Sequence, residues 1–63
     1  MTSKDREVFR AFNHGYLSAL ETADHLSLCY GHDGCPTIIH EAVSENIISL
    51  NDGELIKEEL ESL

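Results

Sequence analysis

The fold is decided by residues 36–50, which read PTIIHEAVSENIISL. Apolar side chains recur in this stretch at three- and four-residue steps, a spacing that places them on one face of an α-helix. Proline is favoured in the first turn of a helix, because its missing backbone N–H would have no intrahelical partner there. The stretch therefore predicts a helix from about Pro36 to Leu50. Its predicted buried face consists of Ile39, Ala42, Val43, Ile47 and Leu50.

The opposite face of this predicted helix carries Glu41, Glu45 and Ile48. At about 100° per residue, Ile48 lies roughly 180° from Ile39 and is flanked by the two glutamates. An aliphatic side chain among carboxylates is typical of a protein-binding patch, in which charges steer the partner toward an apolar anchor. The alternatives are that another helix covers Ile48, or that it is one of the scattered exposed apolar residues found on every protein.

A second apolar stripe at helical spacing runs through the first part of the chain. It predicts a helix over about residues 4–27, with a bend at Gly15. The alternative ends this helix at residues 13–15, NHG, and starts a new one at Ser18-x-x-Glu21, which matches a capping box. The stripe consists of Val8, Phe9, Phe12, Tyr16, Leu20 and Ala23.

The middle of the chain contains the clearest loop signal. Residues 31–36 read GHDGCP, and two glycines with a proline predict a loop between the two long helices. A β-hairpin across residues 26–39 is the alternative for this region. Beyond the second long helix, a last helix is predicted over about residues 54–62. Its predicted buried residues are Ile56, Leu60 and Leu63.

Short connections between these helices favour antiparallel packing. The sequence therefore predicts a single all-α domain over residues 1–63, a small bundle of three to four helices. A chain of this length buries only about 60% of the surface that its unfolded form exposes, so it is marginally stable as a monomer. A metal, a disulfide or a second copy of the chain would each help it to fold. The oligomeric state does not follow from the sequence.

Charge is distributed unevenly along the chain, whose formal net charge is −8 at pH 7. Residues 1–10 hold three basic and two acidic side chains, whereas residues 11–63 hold ten carboxylates and one base, Lys57. This balance argues against direct binding to nucleic acid or to an anionic membrane, because both need Lys and Arg to displace counterions. The expected partner is therefore a basic protein.

Targeting signals are not expected from the sequence. There is no run of about 20 apolar residues of the kind that forms a transmembrane helix. The N-terminal residues are charged and lack the apolar segment of a signal peptide. We therefore expect a cytoplasmic protein, in a compartment that keeps its two cysteines reduced.

The last predicted helix presents a second acidic face. Glu54, Glu58 and Glu61 lie opposite Ile56 and Leu60 on a helical wheel. Carboxylates repeated at every turn, about 5.4 Å along the axis, loosely resemble the spacing of backbone phosphates. A DNA-binding groove rich in Lys and Arg would accept such a face as a decoy. The alternative is that these glutamates form the solvated surface of a small acidic protein.

A run of metal-ligand residue types, H-x3-C-x2-H-x2-C-x4-H, extends from His25 to His40. Four of these residues, Cys29, His32, Cys35 and His40, would make a Cys2His2 zinc site, although the spacing matches no common zinc finger. A Cys29–Cys35 disulfide that closes the Gly31–Gly34 loop is another alternative, and the expected state is two ordinary thiols. Nothing in the sequence activates either thiol, and so short a chain leaves little room for a substrate pocket. We therefore expect no bound metal, no cofactor and no enzymatic activity.

In size, charge and helical character the chain resembles the small acidic inhibitors that bacteriophages use against host defence, above all the anti-CRISPR proteins. The resemblance covers the whole chain and transfers no functional residue. It implies a compact fold that presents an acidic surface to the DNA-binding channel of a CRISPR effector.

These observations predict a protein that occludes the basic, nucleic-acid-binding surface of a partner. The expected contact residues are Glu41, Glu45, Ile48, Glu54, Glu58 and Glu61. One alternative is a zinc-stabilised regulatory module centred on Cys29 to His40. Another is an acidic antitoxin or assembly subunit that neutralises a basic partner.

Overall fold

The structure, a computed structural model, describes all 63 residues. It contains three helices and no strand: α1 is Ser3–Asn13, α2 is Ala19–Ser44 and α3 is Leu50–Ser62. The all-α class and a count of three helices are therefore confirmed. The alternative β-hairpin at residues 26–39 is wrong, because this region lies within α2.

The first predicted helix is interrupted, as its alternative proposed. Gly15 adopts a left-handed φ of 86° after α1, and its backbone N–H donates to the Phe12 carbonyl. The N–H of Tyr16 donates to the Ala11 carbonyl over 2.8 Å, which completes a Schellman motif. Ser18 then caps α2 and forms the predicted capping box with Glu21. The prediction of a continuous helix over residues 4–27 is therefore wrong, because α1 ends before the left-handed Gly15 and Ser18 caps a new helix.

The same turn occurs again between α2 and α3. Asn46 adopts a left-handed φ of 61°, and the N–H groups of residues 46 and 47 make the two Schellman hydrogen bonds seen after α1. Ser49 caps α3 by accepting a hydrogen bond from the backbone N–H of Asp52. The second predicted helix therefore ends at Ser44 and not at Leu50. The last helix begins at Leu50, whereas its predicted start is about residue 54.

The predicted loop at residues 31–36 is reduced to a break at one residue. Gly31 has φ 71° and ψ 171°, and helical geometry continues on both sides of it. We refer to residues 19–30 as α2a and to residues 32–44 as α2b. Pro36 lies inside α2b, five residues after Gly31, and not in the first turn of this segment. The chain thus consists of two helical hairpins, α1–α2a and α2b–α3, joined at Gly31.

One cluster of apolar side chains forms the core, and the main contact between helices is that of α2 with α3. Gly53 allows this contact, because a Cβ atom there would lie 3.1 Å from a Val43 methyl group and 3.2 Å from an Ile39 methyl group. The helix α1 adds one fully buried ring, that of Phe9. The cluster consists of Phe9, Ala23, Leu26, Cys35, Ile38, Ile39, Ala42, Ile48, Ile56 and Leu60.

The prediction that Ile48 is an exposed anchor is wrong. Only 4% of Ile48 is exposed, and its side chain belongs to the core. The helical wheel does not apply to this residue, because α2 ends at Ser44 and Ile48 lies in the following turn. The same error affects Leu50, which was predicted to be buried and is 67% exposed.

We expect Ile48→Asp to unfold the protein. A carboxylate at this buried position would have no partner, and the substitution should lower the free energy of unfolding by about 3 kcal/mol or more. Leu50→Asp is the matched control, because the same change at an exposed position should alter that free energy by only about 0.5 kcal/mol. Thermal unfolding followed by far-UV circular dichroism measures both. An Ile48→Asp variant that melts like the control would show that this turn is not packed in the core.

Candidate functional site

The exposed face of α3 carries a row of carboxylates. Glu54, Glu58 and Glu61 are all exposed, and the opposite face buries Ile56 and Leu60. The helix positions these glutamates outward because the two buried residues fix its rotation against α2. Residues 50–62 contain five acidic residues and one base, so this helix has a formal net charge of −4.

Few cations within the molecule neutralise this row. Lys57 Nζ lies 3.7 Å from a Glu54 carboxylate oxygen, one turn along the same helix. Glu58 and Glu61 have no ion-pair partner in the structure. Like charges three or four residues apart on a helix destabilise it by a few tenths of a kcal/mol, roughly. The surface therefore retains repulsion that a cationic partner would relieve.

Glu41 and Glu45, the other two predicted contact carboxylates, lie apart from this row. The Arg6 guanidinium on α1 donates a hydrogen bond to Glu45, and the Met1 ammonium lies 3.1 Å from a Glu41 oxygen. Glu41 on α2b and Glu45, the residue that follows its last turn, are therefore both engaged by the start of the chain. The structure places Glu54, Glu58 and Glu61 on one face of α3, whereas Glu41 and Glu45 have cationic partners from the N-terminal residues.

Two leucines that are not among the predicted contact residues lie beside the acidic row. Leu50 and Leu55 are large apolar side chains on α3 that remain exposed. The signal for Leu55 was present in the sequence, since the wheel places it about 100° from Ile56 and outside the buried stripe. The exposure of Leu50 could not be predicted, because the sequence places this residue at the end of the second predicted helix, whereas it is the first residue of α3. The surface formed by Glu54, Glu58, Glu61, Leu50 and Leu55 is called the α3 patch.

The predicted metal-ligand residues do not converge. No group of three or more His, Cys, Asp or Glu side chains in the structure is arranged to hold a metal ion. Cys35 is buried, and its Sγ donates to the Gly31 carbonyl over 3.0 Å, whereas Cys29 is exposed. Both cysteines are free thiols, so the disulfide between them is not formed. Burial, with a smaller contribution from Cys29, raises the pKa of the Cys35 thiol, which disfavours the thiolate that zinc requires.

A buried carboxylate ties the start of α1 to the end of α2a. Asp5 accepts hydrogen bonds from the Thr2 backbone N–H over 3.0 Å and from the Tyr30 hydroxyl. His25 Nε2 lies 3.7 Å from the other carboxylate oxygen and also 3.7 Å from Cys29 Sγ. Asp5 thus serves as the third residue of a capping box and as a link between the helices.

These contacts shift two pKa values. Burial alone would raise the pKa of Asp5, but hydrogen bonds from Tyr30 and Thr2, with the His25 contact, outweigh it and hold the pKa below its ordinary value. The hydrogen bond to Asp5 raises the pKa of Tyr30 to about 12, with burial and the nearby charge adding to the effect. Asp5 is therefore ionised and Tyr30 neutral at neutral pH, which is the pairing that the hydrogen bond needs.

The cleft between α2b and α3 is small. Its volume is about 190 Å³, below the roughly 300–1,000 Å³ of pockets that enclose small ligands. Its apolar lining is formed by Pro36, Ile39 and Leu60, with Lys57 and Glu61 at the rim. The cleft is therefore an opening at the edge of the core.

Comparisons with known proteins identify no relative. No protein-family model matches the sequence, and neither a curated protein nor a solved structure is significantly similar to it.

No helix in the structure has both the length and the apolar composition needed to cross a bilayer.

We expect the stabilising effect of Asp5 to depend on pH. A carboxyl group with a lowered folded-state pKa stabilises the fold above its ordinary pKa of 3.8, and this effect is lost as pH falls through the folded-state value. Asp5→Asn should lower the free energy of unfolding by about 1 kcal/mol or more at neutral pH. The difference from the unmodified protein should shrink as the pH falls below about 4.

Urea unfolding at several pH values measures this difference. Glu58→Gln is the control, because it removes an exposed carboxylate with no hydrogen-bond partner. Its effect on the free energy of unfolding should be small at every pH. A deficit of Asp5→Asn that stays constant from neutral to acidic pH would contradict the assignment of a lowered pKa to Asp5.

Proposed function

We propose that this protein binds the basic surface of another protein through the α3 patch and thereby blocks nucleic acid from that surface. The observation that carries the proposal is the row of exposed carboxylates at Glu54, Glu58 and Glu61, two of which have no cation partner. A partner that supplies Lys or Arg side chains would gain ion pairs and would relieve the repulsion within α3.

The exposed leucines of the α3 patch support a protein partner over a simple counterion. Leu50 and Leu55 would be covered in a complex, and burying apolar area contributes about 25 cal/mol per Å². Apolar anchors beside charges are the usual composition of an interface centre with a polar rim. In this proposal the leucines take the anchoring role that the sequence analysis gave to Ile48.

The geometry of the charges supports a nucleic-acid-binding protein as the partner. Carboxylates on successive turns of α3 repeat at about 5–6 Å, the same order as the spacing of phosphates along a nucleic-acid strand. A groove that binds phosphates with Lys and Arg therefore offers the complementary pattern. Such partners include CRISPR effectors, the class implied by the resemblance to anti-CRISPR inhibitors. The proposed site of action is the cytoplasm.

We expect Glu58→Gln combined with Glu61→Gln to weaken binding to such a partner about tenfold, mostly through a slower association rate. Glu54 is left unchanged, so its contact with Lys57 is preserved. Glu7→Gln combined with Asp33→Asn is the matched control, because it removes two exposed carboxylates that lie outside α3. The control should bind normally. Binding of the unmodified protein should also weaken as salt rises.

The measurement starts from immobilised protein exposed to a lysate of the source organism. Captured proteins are eluted with duplex DNA, identified by mass spectrometry, and then titrated in purified form against the variants. The proposal predicts basic nucleic-acid-binding proteins that DNA displaces and that the α3 variant fails to capture. Capture that is insensitive to DNA, or that the α3 variant and the control retain equally, would refute it.

A further inference from the structure

The first hairpin leaves several large apolar side chains exposed to solvent. Tyr16 is 82% exposed and Leu28 80% exposed, and Leu20 on the same side of α2a is exposed as well. The turn that leads into α2a and the turn into α3 share the two Schellman hydrogen bonds, with an offset of 31 residues between Gly15 and Asn46. At the position equivalent to Tyr16 the second turn places Ile47, which packs against the core.

A groove runs between α1 and α2a beside these side chains. It encloses about 400 Å³, and Val8, Leu17 and Leu28 supply its apolar lining. Its charged residues are of both signs, with Lys4 on the α1 side and Glu21 and Asp24 on the α2a side. A projecting leucine next to an apolar groove, with opposite charges on the two walls, is complementary to a second copy of itself.

The charge of the two hairpins decides between possible occupants. Residues 1–30 hold three basic and four acidic side chains, whereas residues 31–63 hold one basic and eight acidic side chains. A basic partner is therefore drawn to the second hairpin. Two copies of this acidic chain can approach each other with the least repulsion through the first hairpin, which is nearly neutral.

We propose that the protein forms a two-fold dimer through the groove between α1 and α2a. In this dimer Leu28 of each copy packs into the groove of the other, against Val8 and Leu17. Lys4 of each copy faces Asp24 of the other. This inference goes beyond the proposed function and does not depend on it, because it uses neither α3 nor any further protein. The dimer also adds buried apolar surface to a chain of 63 residues, which has little of its own.

The first test is the oligomeric state of the purified protein, measured by sedimentation equilibrium over a range of concentrations. The unmodified chain should show a reversible monomer–dimer equilibrium. Leu28→Asp should weaken this equilibrium at least tenfold, because it replaces an interface side chain with an unpaired charge. Leu55→Asp, the same change at an exposed leucine on α3, should leave it unchanged. Melting temperatures of both variants show that each remains folded.

The second test exchanges charges across the proposed interface. In Lys4→Glu two acidic walls would meet, and in Asp24→Lys two basic walls would meet, so each variant alone should dimerise at least tenfold more weakly. In a mixture, Glu at position 4 of one copy would face Lys at position 24 of the other, and the reciprocal contact would keep the native Lys4 and Asp24. The mixture should therefore form a heterodimer, which a fluorescent label on one variant detects.

Several outcomes would overturn the inference. An unmodified chain that remains monomeric at every concentration excludes the dimer and leaves the groove to a different occupant. A dimer that Leu55→Asp disrupts and Leu28→Asp does not would place the interface on α3. Charge variants that never favour the mixed pair would exclude the proposed two-fold arrangement. The first and third outcomes leave capture of a basic partner by the α3 patch unaffected, whereas a dimer formed through α3 would compete with it.

Discussion

The left-handed residue that ends each helix before a turn is the constraint on which the rest of the structure depends. Gly15 and Asn46 both reverse the chain within a Schellman motif, and a serine three residues later caps the next helix. This geometry fixes the position at which each helix stops and the direction in which the next one leaves. In the second turn it also directs Ile48 inward, where its side chain joins the core. The core and the orientation of the α3 carboxylates both follow from these two reversals.

The helical class, the buried stripe at Ile39 and the exposed glutamates of α3 could be predicted from periodicity alone. The predictions that were wrong concern the positions at which helices end. The apolar spacing between Val43 and Leu50 continues through the turn, so periodicity could not reveal that the helix stops at Ser44. Asn46 gave only a weak signal, because asparagine is tolerated in the left-handed region but does not require it. Because the chain reversal at Asn46 was not predicted, the predicted exposure of Ile48 and the predicted burial of Leu50 are both wrong, and so is the choice of Ile48 as the anchor of the site.

The distribution of the carboxylates could not be predicted from their number. Net charge says that a chain is acidic, whereas the fold decides which carboxylates remain free of a cation. Glu45 pairs with Arg6 from a distant part of the sequence, and Asp5 is buried against Tyr30. These contacts join residues 39 and 25 positions apart, so no local pattern could show them. What remains unpaired on α3 is therefore a property of the tertiary structure.

The break at Gly31 divides the molecule into two units of unequal stability. Helical hydrogen bonding does not pass cooperatively through a residue with φ 71° and ψ 171°, so each hairpin can open without first melting the other. Seven of the ten core residues lie after the break, and three lie before it. The first hairpin should therefore open more often, and amide protons of α1 should exchange with solvent sooner than those of α3. Partial unfolding of this protein would begin at its N-terminal half and leave the acidic helix in place.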